Sequence, residues 1–271
     1  MKILKNFHTH SSFCDGRNTP EEMIEAAIAK GFSTLGFSSH SMLPEVLEGV
    51  TLDGETIGRY VETIRGLAEK HKGKIEVLCG VEADYLKGVT DPDSSRYAKW
   101  NFDYIIGSIH FLAVDGNAKD RICIDHTPEI LADGIRKYYG GSAKEFLKAY
   151  FAAEREMVLA YDFNIVGHPD LPRKFNSKFR IFYETEQWYV DELASTADAI
   201  AASGKIVEIN TGAISRGWRD DPYPSEKFIS LLKERKVPLI LSSDAHAAEG
   251  IDCAFDRFAN LATITDFRRA L

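Results

Sequence analysis

Residues 3–10, Ile3-Leu4-Lys5-Asn6-Phe7-His8-Thr9-His10, form a short apolar run that stops in two histidines placed two apart. In extended chain, alternate residues share a side, so His8 and His10 point together and offer two imidazole nitrogens to one divalent ion. The same punctuation recurs along the chain. Apolar runs at 35–39, 75–81, 104–109, 163–167, 206–209 and 237–241 read as strands. They end, in order, in His40, Glu82, His110, His168, Glu208 with Asn210, and Asp244 with His246. Six of the eight histidines therefore sit at strand ends, and only His71 and His126 do not. Scattered core or surface histidines would not sort in this way.

Between these runs lie helical patterns at about 20–30, 54–72, 129–139, 143–160, 184–203 and 224–236. Thr19-Pro20-Glu21-Glu22 reads as a capping box with proline in the first helical position. Strands alternating with helices predict an α/β fold with a parallel sheet. An open sheet would spread seven strand ends along a line at about 4.8 Å per strand. A barrel gathers them on one face, where the active sites of such barrels lie. The ligand pattern thus predicts a TIM-like barrel, with residues 1–271 as one domain. Two stretches are expected to be irregular lids over the site, a polar one at 111–128 and a basic one at 173–180.

Composition narrows the function. The 271 residues carry a net charge of −8, are 44% hydrophobic and 27% charged, and include no low-complexity tract, so the chain is an ordinary folded protein. An acidic chain without a basic, aromatic-studded stripe is a poor match for nucleic acid. No apolar run approaches the roughly 18 residues that span a bilayer, and the first residues lack a signal-peptide core. A cytoplasmic protein with no membrane partner is expected. Cys14, Cys79, Cys123 and Cys253 are widely spaced and read as reduced, mostly buried thiols, with Cys14 packing away from Asp15. His71 and His126 read as surface residues.

His8, His10, Asp15, His40, Glu82, His110, His168, Asp244 and His246 make nine candidate ligands. One catalytic zinc takes three protein ligands and a water, so nine serve two or three ions, with Glu82 able to bridge. Imidazole and carboxylate without thiolate suit zinc, manganese or iron. The sequence contains no nucleophile elbow and no P-loop.

In order along the chain, His8-Thr9-His10…Asp15-Gly16, Phe37-Ser38-Ser39-His40, Gly80-Val81-Glu82, Gly107-Ser108-Ile109-His110, Gly167-His168-Pro169-Asp170 and Ser243-Asp244-Ala245-His246 resemble the PHP (polymerase and histidinol phosphatase) family. Glu208-Ile209-Asn210-Thr211…Arg216…Tyr223-Pro224-Ser225 resembles its phosphatase branch. The resemblance implies a distorted (β/α)7 barrel and a trinuclear site. His8, His10, Glu82 and Asp244 would hold one ion, Glu82, His110 and His168 a second, and Asp15, His40 and His246 a third. Many members have His where this chain has Asp15 and Asp where it has Ser39. The carboxylate makes the third site a harder one.

The implied reaction is hydrolysis of a small phosphomonoester, L-histidinol phosphate, by a metal-bridging hydroxide. Such reactions are among the slowest uncatalysed ones, because an anion must approach a dianion. Arg216, after the sixth strand, is the expected phosphate clamp, with Asn210 and Arg17 as further substrate contacts. Asp244 or a metal-held water would protonate the leaving group. The competing readings are a PHP-type phosphodiesterase or exonuclease, an amidohydrolase and a structural metal module. An amidohydrolase would need a bridging Lys at a strand end, which this chain lacks.

Overall fold

A computed structural model describes residues 4–43, 50–114 and 117–269. Ile3, expected to open the first strand, lies outside these residues. The strands are β1 (Leu4–Asn6), β2 (Phe32–Phe37), β3 (Glu76–Cys79), β4 (Val81–Asp84), β5 (Ile105–Ser108), β6 (Phe111–Val114), β7 (Asn117–Cys123), β8 (Ile165–Val166), β9 (Ile206–Asn210) and β10 (Leu239–Ser242). The helices are α1 (Pro20–Ala29), α2 (Thr56–Lys70), α3 (Ser94–Tyr97), α4 (Pro128–Tyr139), α5 (Ala143–Ala160), α6 (Asn176–Phe179), α7 (Gln187–Ser203), α8 (Gly212–Ser215), α9 (Glu226–Glu234) and α10 (Phe255–Phe258).

One parallel sheet runs β1-β2-β3 and another β10-β9-β8-β5-β4. The run read from sequence as a single third strand breaks at Gly80: β3 pairs with β2, and β4 with β5. The sheets are thereby joined, and an isolated bridge between Thr9 and Ala245, with His10 N–H donating to the Ala245 carbonyl (2.9 Å), brings the first and last strand ends together. Seven strand runs form a nearly closed barrel in one domain, the TIM-like arrangement the alternation predicts.

The break has a packing cause. Tyr104 lies inside the barrel and its hydroxyl donates to the Phe7 carbonyl (2.6 Å) and also approaches that of Phe37 (3.0 Å). A Cβ on Gly80 or Gly36 would overlap its ring, so only glycine lets both strands pass. Phe7, Leu78, Ile106, Ile165, Ile206, Ile240 and Phe267 complete this inner core. A larger core, between the sheet and the helices, is built from the buried faces of α1, α2, α5, α7 and α9.

Helix ends follow the sequence signals. Thr19 accepts from Glu22 N–H, and the Glu22 carboxylate accepts from Thr19 N–H (2.8 Å), completing the capping box. Thr127, Ser142 and Ser225 cap α4, α5 and α9, and Gly204 at φ +71° ends α7.

Three expectations fail. Residues 111–128 are not an irregular lid, because β6 and β7 pair as an antiparallel hairpin. The basic stretch 173–180 is largely helical, and Arg173 and Lys174 are buried in ion pairs with Asp170, Glu184, Asp221 and Asp125. His71 is buried at the end of α2, where the last turn folds back, while His126 is exposed as expected. All four cysteines are free thiols, Cys14 and Cys79 buried and Cys123 and Cys253 partly so. No helix among the described residues is long and apolar enough to cross a membrane.

Within α5, Glu154 is fully buried and takes one hydrogen bond, from Tyr150 OH (2.9 Å). Burial pushes its carboxyl up to about 8, and the nearby Asp170 adds to the rise. A folded pKa above the unfolded one stabilises fully only below about pH 4.5, and that stability drains away as pH rises towards 8. Glu154→Gln, which keeps the shape without the charge, is therefore expected to raise the thermal midpoint at pH 8 and leave it almost unchanged at pH 4.5. Equal shifts at both pH values would contradict a neutral Glu154.

Candidate metal centre

The strand ends deliver their side chains to one pocket, and Glu82 is its hub. The carboxylate is buried. Its Oε2 lies 3.2 Å from His8 Nε2, 3.5 Å from His10 Nε2 and 3.0 Å from His40 Nδ1. Its Oε1 lies 3.0 Å from His168 Nε2 and 3.6 Å from His110 Nε2. Glu82 reaches this position because β4 pairs with β5 and an isolated bridge sets His40 opposite Glu82.

All nine sequence-derived ligands meet here. His8 Nε2 and His10 Nε2 are 3.1 Å apart, and Asp244 Oδ1 is 3.7 and 3.3 Å from them. On the other side, Asp15 lies 3.2 Å from His246 Nε2, 3.7 Å from His40 Nε2 and 3.6 Å from His10 Nδ1. The His10 and His246 rings stack at 4.0 Å. Three groups bring one donor atom each to within 4.8 Å of the others: His10, Asp15, His40 and His246; His8, His10 and Glu82; and His40, Glu82 and His110. These overlap the three expected sets, with His10 and His40 each standing between two.

The donors suit divalent ions. Nε2 atoms face one another and carboxylates at short range, and Glu82 Oε2 accepts no hydrogen bond despite its crowd of imidazoles. Burial alone would raise the carboxyls of Asp15, Glu82 and Asp244, yet neighbouring histidines, and Arg216 beside Asp244, hold all three below the usual carboxylate range. Burial together with His246 and His40 lowers His10 to about 3, leaving a neutral imidazole. Against burial, which would lower them, the crowd of carboxylates raises His8 and His40 well above the ordinary imidazole value and His110 to about 9. A bound ion would have to displace those protons, since metals take the neutral imidazole.

Around this pocket stand residues that sequence reading left without a role. Asp84 Oδ1 is 2.9 Å from His110 Nδ1 and accepts from His110 N–H (3.1 Å). Glu208 brackets His8 Nδ1 at 2.9 and 3.1 Å. The signal was present in the alternation, since Asp84 follows Glu82 by two and Glu208 lies on the inward side of β9. Cys14 Sγ packs 3.3 Å from His10 Nδ1.

Of the expected substrate contacts, Arg216 reaches the pocket, with Nη2 donating to Asp244 Oδ2 (2.9 Å) and Nη1 2.9 Å from His246 Nδ1. A Cβ on Gly212 would lie 2.7 Å from Arg216 Nη2 and 2.6 Å from Asp244 Oδ2, so glycine makes room for that pair. Asn210 is fully buried: Nδ2 donates to Glu208 (2.7 Å) and faces Asp244 (3.3 Å), and Oδ1 accepts from Gly212 N–H. Its amide is held by the protein on these three sides, behind Asp244. Arg17 is exposed at the rim, where its backbone N–H donates to the His246 carbonyl (2.8 Å).

A histidinol-phosphatase of Bacillus subtilis is 26% identical over 267 residues, covering 93% of this chain and 96% of the relative. A probable histidinol-phosphatase of Deinococcus radiodurans is 28% identical over 251 residues, covering 91% and 87%. Among solved structures, histidinol phosphate phosphatase of Lactococcus lactis, complexed with zinc, L-histidinol and phosphate, superposes with a TM-score of 0.70 at 20% identity, covering 98% and 93% of the two chains. The putative histidinol phosphatase of Listeria monocytogenes gives 0.80 at 22% identity, covering 94% and 99%. These two likenesses show a shared fold. The sequence profile of the PHP domain matches residues 6–212, and the chain belongs to that family.

Proposed function

We propose that this chain is a metal-dependent phosphomonoesterase that hydrolyses L-histidinol phosphate to L-histidinol and phosphate. His8, His10, Asp15, His40, Glu82, His110, His168, Asp244 and His246 would hold two or three divalent ions of zinc, manganese or iron. The observation that carries this reading is the convergence of imidazoles and carboxylates from six strand ends around Glu82, with a guanidinium at the rim. The histidinol-phosphatase names of the relatives support the choice of substrate.

When bound, the ions supply Lewis acidity, which activates a water and offsets charge on the phosphoryl oxygens. The protein's share is positioning. Glu82 would bridge, since its two oxygens face different histidines. Arg216 would turn its fork to the phosphate, an anion suited to paired N–H donors, while Asp244 keeps it at the pocket. Asn210 would steady Asp244 from behind. Asp244, beside Arg216 and the histidine pair, or a water held in the pocket would pass a proton to the leaving alkoxide.

Phosphate release from L-histidinol phosphate tests the reading. Activity is expected to vanish after thorough chelation and to return with zinc or manganese, and the phosphomonoester to be preferred over a bis-aryl phosphodiester. Undiminished turnover in stripped protein would refute metal dependence, and faster cleavage of the diester would point to the phosphodiesterase reading.

A further inference from the structure

We infer that Glu208 is a positioning residue that couples two of the proposed ion sites, those of His8 and His168. The inference rests on the metal-centre reading above. Glu208 is fully buried in β9, and its carboxylate receives donors from three strand ends. His8 Nδ1 lies 2.9 Å from Oε2 and 3.1 Å from Oε1, His168 N–H donates to Oε1 (3.0 Å), and Asn210 Nδ2 donates to the same oxygen (2.7 Å). No Lys or Arg is among these partners. A buried carboxylate is costly unless its neighbours satisfy it, so the three donors define its place.

Two consequences follow from the geometry. Both Glu208 oxygens face His8 Nδ1, which favours the tautomer with its proton there and turns the Nε2 lone pair towards Glu82 (3.2 Å) and His10 (3.1 Å). The second concerns the backbone of His168, which has φ +23°, a value that a residue with a Cβ holds only when its surroundings impose it. The hydrogen bond from His168 N–H to Glu208 is such a restraint, and it aims His168 Nε2 at the other oxygen of Glu82 (3.0 Å). Gly167 lets this strand end lie close against β5, because a Cβ there would overlap the side chains of Ser108 and Ile106. One side chain thus sets the ring of one ligand and the backbone of another. Asp84 offers the contrast, since both of its contacts go to a single ligand, His110.

The experiment is a zinc titration against a chromophoric chelator on the wild-type chain, Glu208→Gln and Asp84→Asn, with metal content and the thermal midpoint of each metal-free protein measured alongside. Glutamine keeps the volume but must turn an NH2 towards one of three donors. Two zinc-binding steps of Glu208→Gln are expected to weaken by about 10–100-fold, and one step of Asp84→Asn by a similar factor. The metal-free midpoints of both variants should fall, since each leaves a buried donor facing an amide. The reading lies in the number of weakened zinc steps, two for Glu208→Gln against one for Asp84→Asn, which a general loosening of the fold would not separate. In zinc-loaded wild-type protein, 15N NMR should find the His8 proton on Nδ1, a measurement that needs no variant to fold. A Glu208→Gln isotherm that superposes on wild type, a change in one step only, or a His8 Nδ1 without a proton would overturn the coupling. A wild type that binds no zinc would instead overturn the metal-centre reading beneath it.

Discussion

Replacing Glu82 with glutamine is expected to cut phosphate release from L-histidinol phosphate by about 1000-fold or more while the chain stays folded. Five histidine nitrogens lie 3.0–3.6 Å from this one carboxylate. Glutamine keeps the size but removes the charge and one of the two acceptors, so the proposed bridge is lost. Electrostatic stabilisation by metal ions is worth several kcal/mol, and about 4 kcal/mol corresponds to roughly three decades in rate. The check is turnover at saturating zinc together with bound metal per chain and circular dichroism. A folded variant with full metal content and wild-type turnover would remove Glu82 from the centre of the mechanism.

The largest loss of stability is expected from Arg173→Met. Arg173 is 2% exposed. Its guanidinium donates to Glu184 Oε2 (2.7 Å), Asp221 Oδ2 (2.6 Å), Asp170 Oδ2 (3.3 Å) and the Pro222 carbonyl (3.3 Å). Removing one partner of a buried ion pair costs about 3–5 kcal/mol, or roughly 10 °C in thermal midpoint for a chain of this size. The pH dependence has a definite sign. Burial already raises the Asp170 carboxyl, and without the guanidinium it rises further, so the penalty for ionising it in the fold grows as pH increases. Asp221, held low by Arg173 despite partial burial, loses a stabilisation that exists only when it is ionised. Both effects shrink as the carboxylates take up protons, so the deficit should be smaller at pH 4.5 than at pH 7.5. Calorimetry at the two values decides it, and a deficit that grows on acidification would contradict this account.

Much of the fold was legible because a parallel barrel leaves a local signature: an apolar run, then a functional residue, then an amphipathic helix. His8-Thr9-His10 and Asp244-Ala245-His246 could be placed on one side of a strand from alternation alone. The break at Gly80 was not legible, because it depends on Tyr104, 24 positions away in sequence, filling the space where a Cβ would stand. The hairpin β6–β7 was missed because the polar run 117–121 was read as loop, although the apolar Phe111–Val114 followed by Asp115-Gly116 carries a hairpin signal. Arg173 and Lys174 looked like a solvated basic lid, since the acids that bury them, Glu184, Asp221 and Asp125, come from other segments. Asp84 and Glu208 escaped for a related reason. Alternation shows which way a carboxylate points, but only the assembled barrel shows that it meets the far nitrogen of a histidine rather than an ion.

The aromatic and aliphatic plug inside the barrel has a consequence for traffic. Tyr104, Phe7 and Phe267 seal the floor beneath the histidines, with Phe7 and Phe267 meeting edge to face at 5.1 Å. The barrel is therefore filled at that level, and the histidines are approached from the strand-end side. If Arg216 holds phosphate as proposed, product would leave by the path that substrate enters, and product inhibition is the expected consequence.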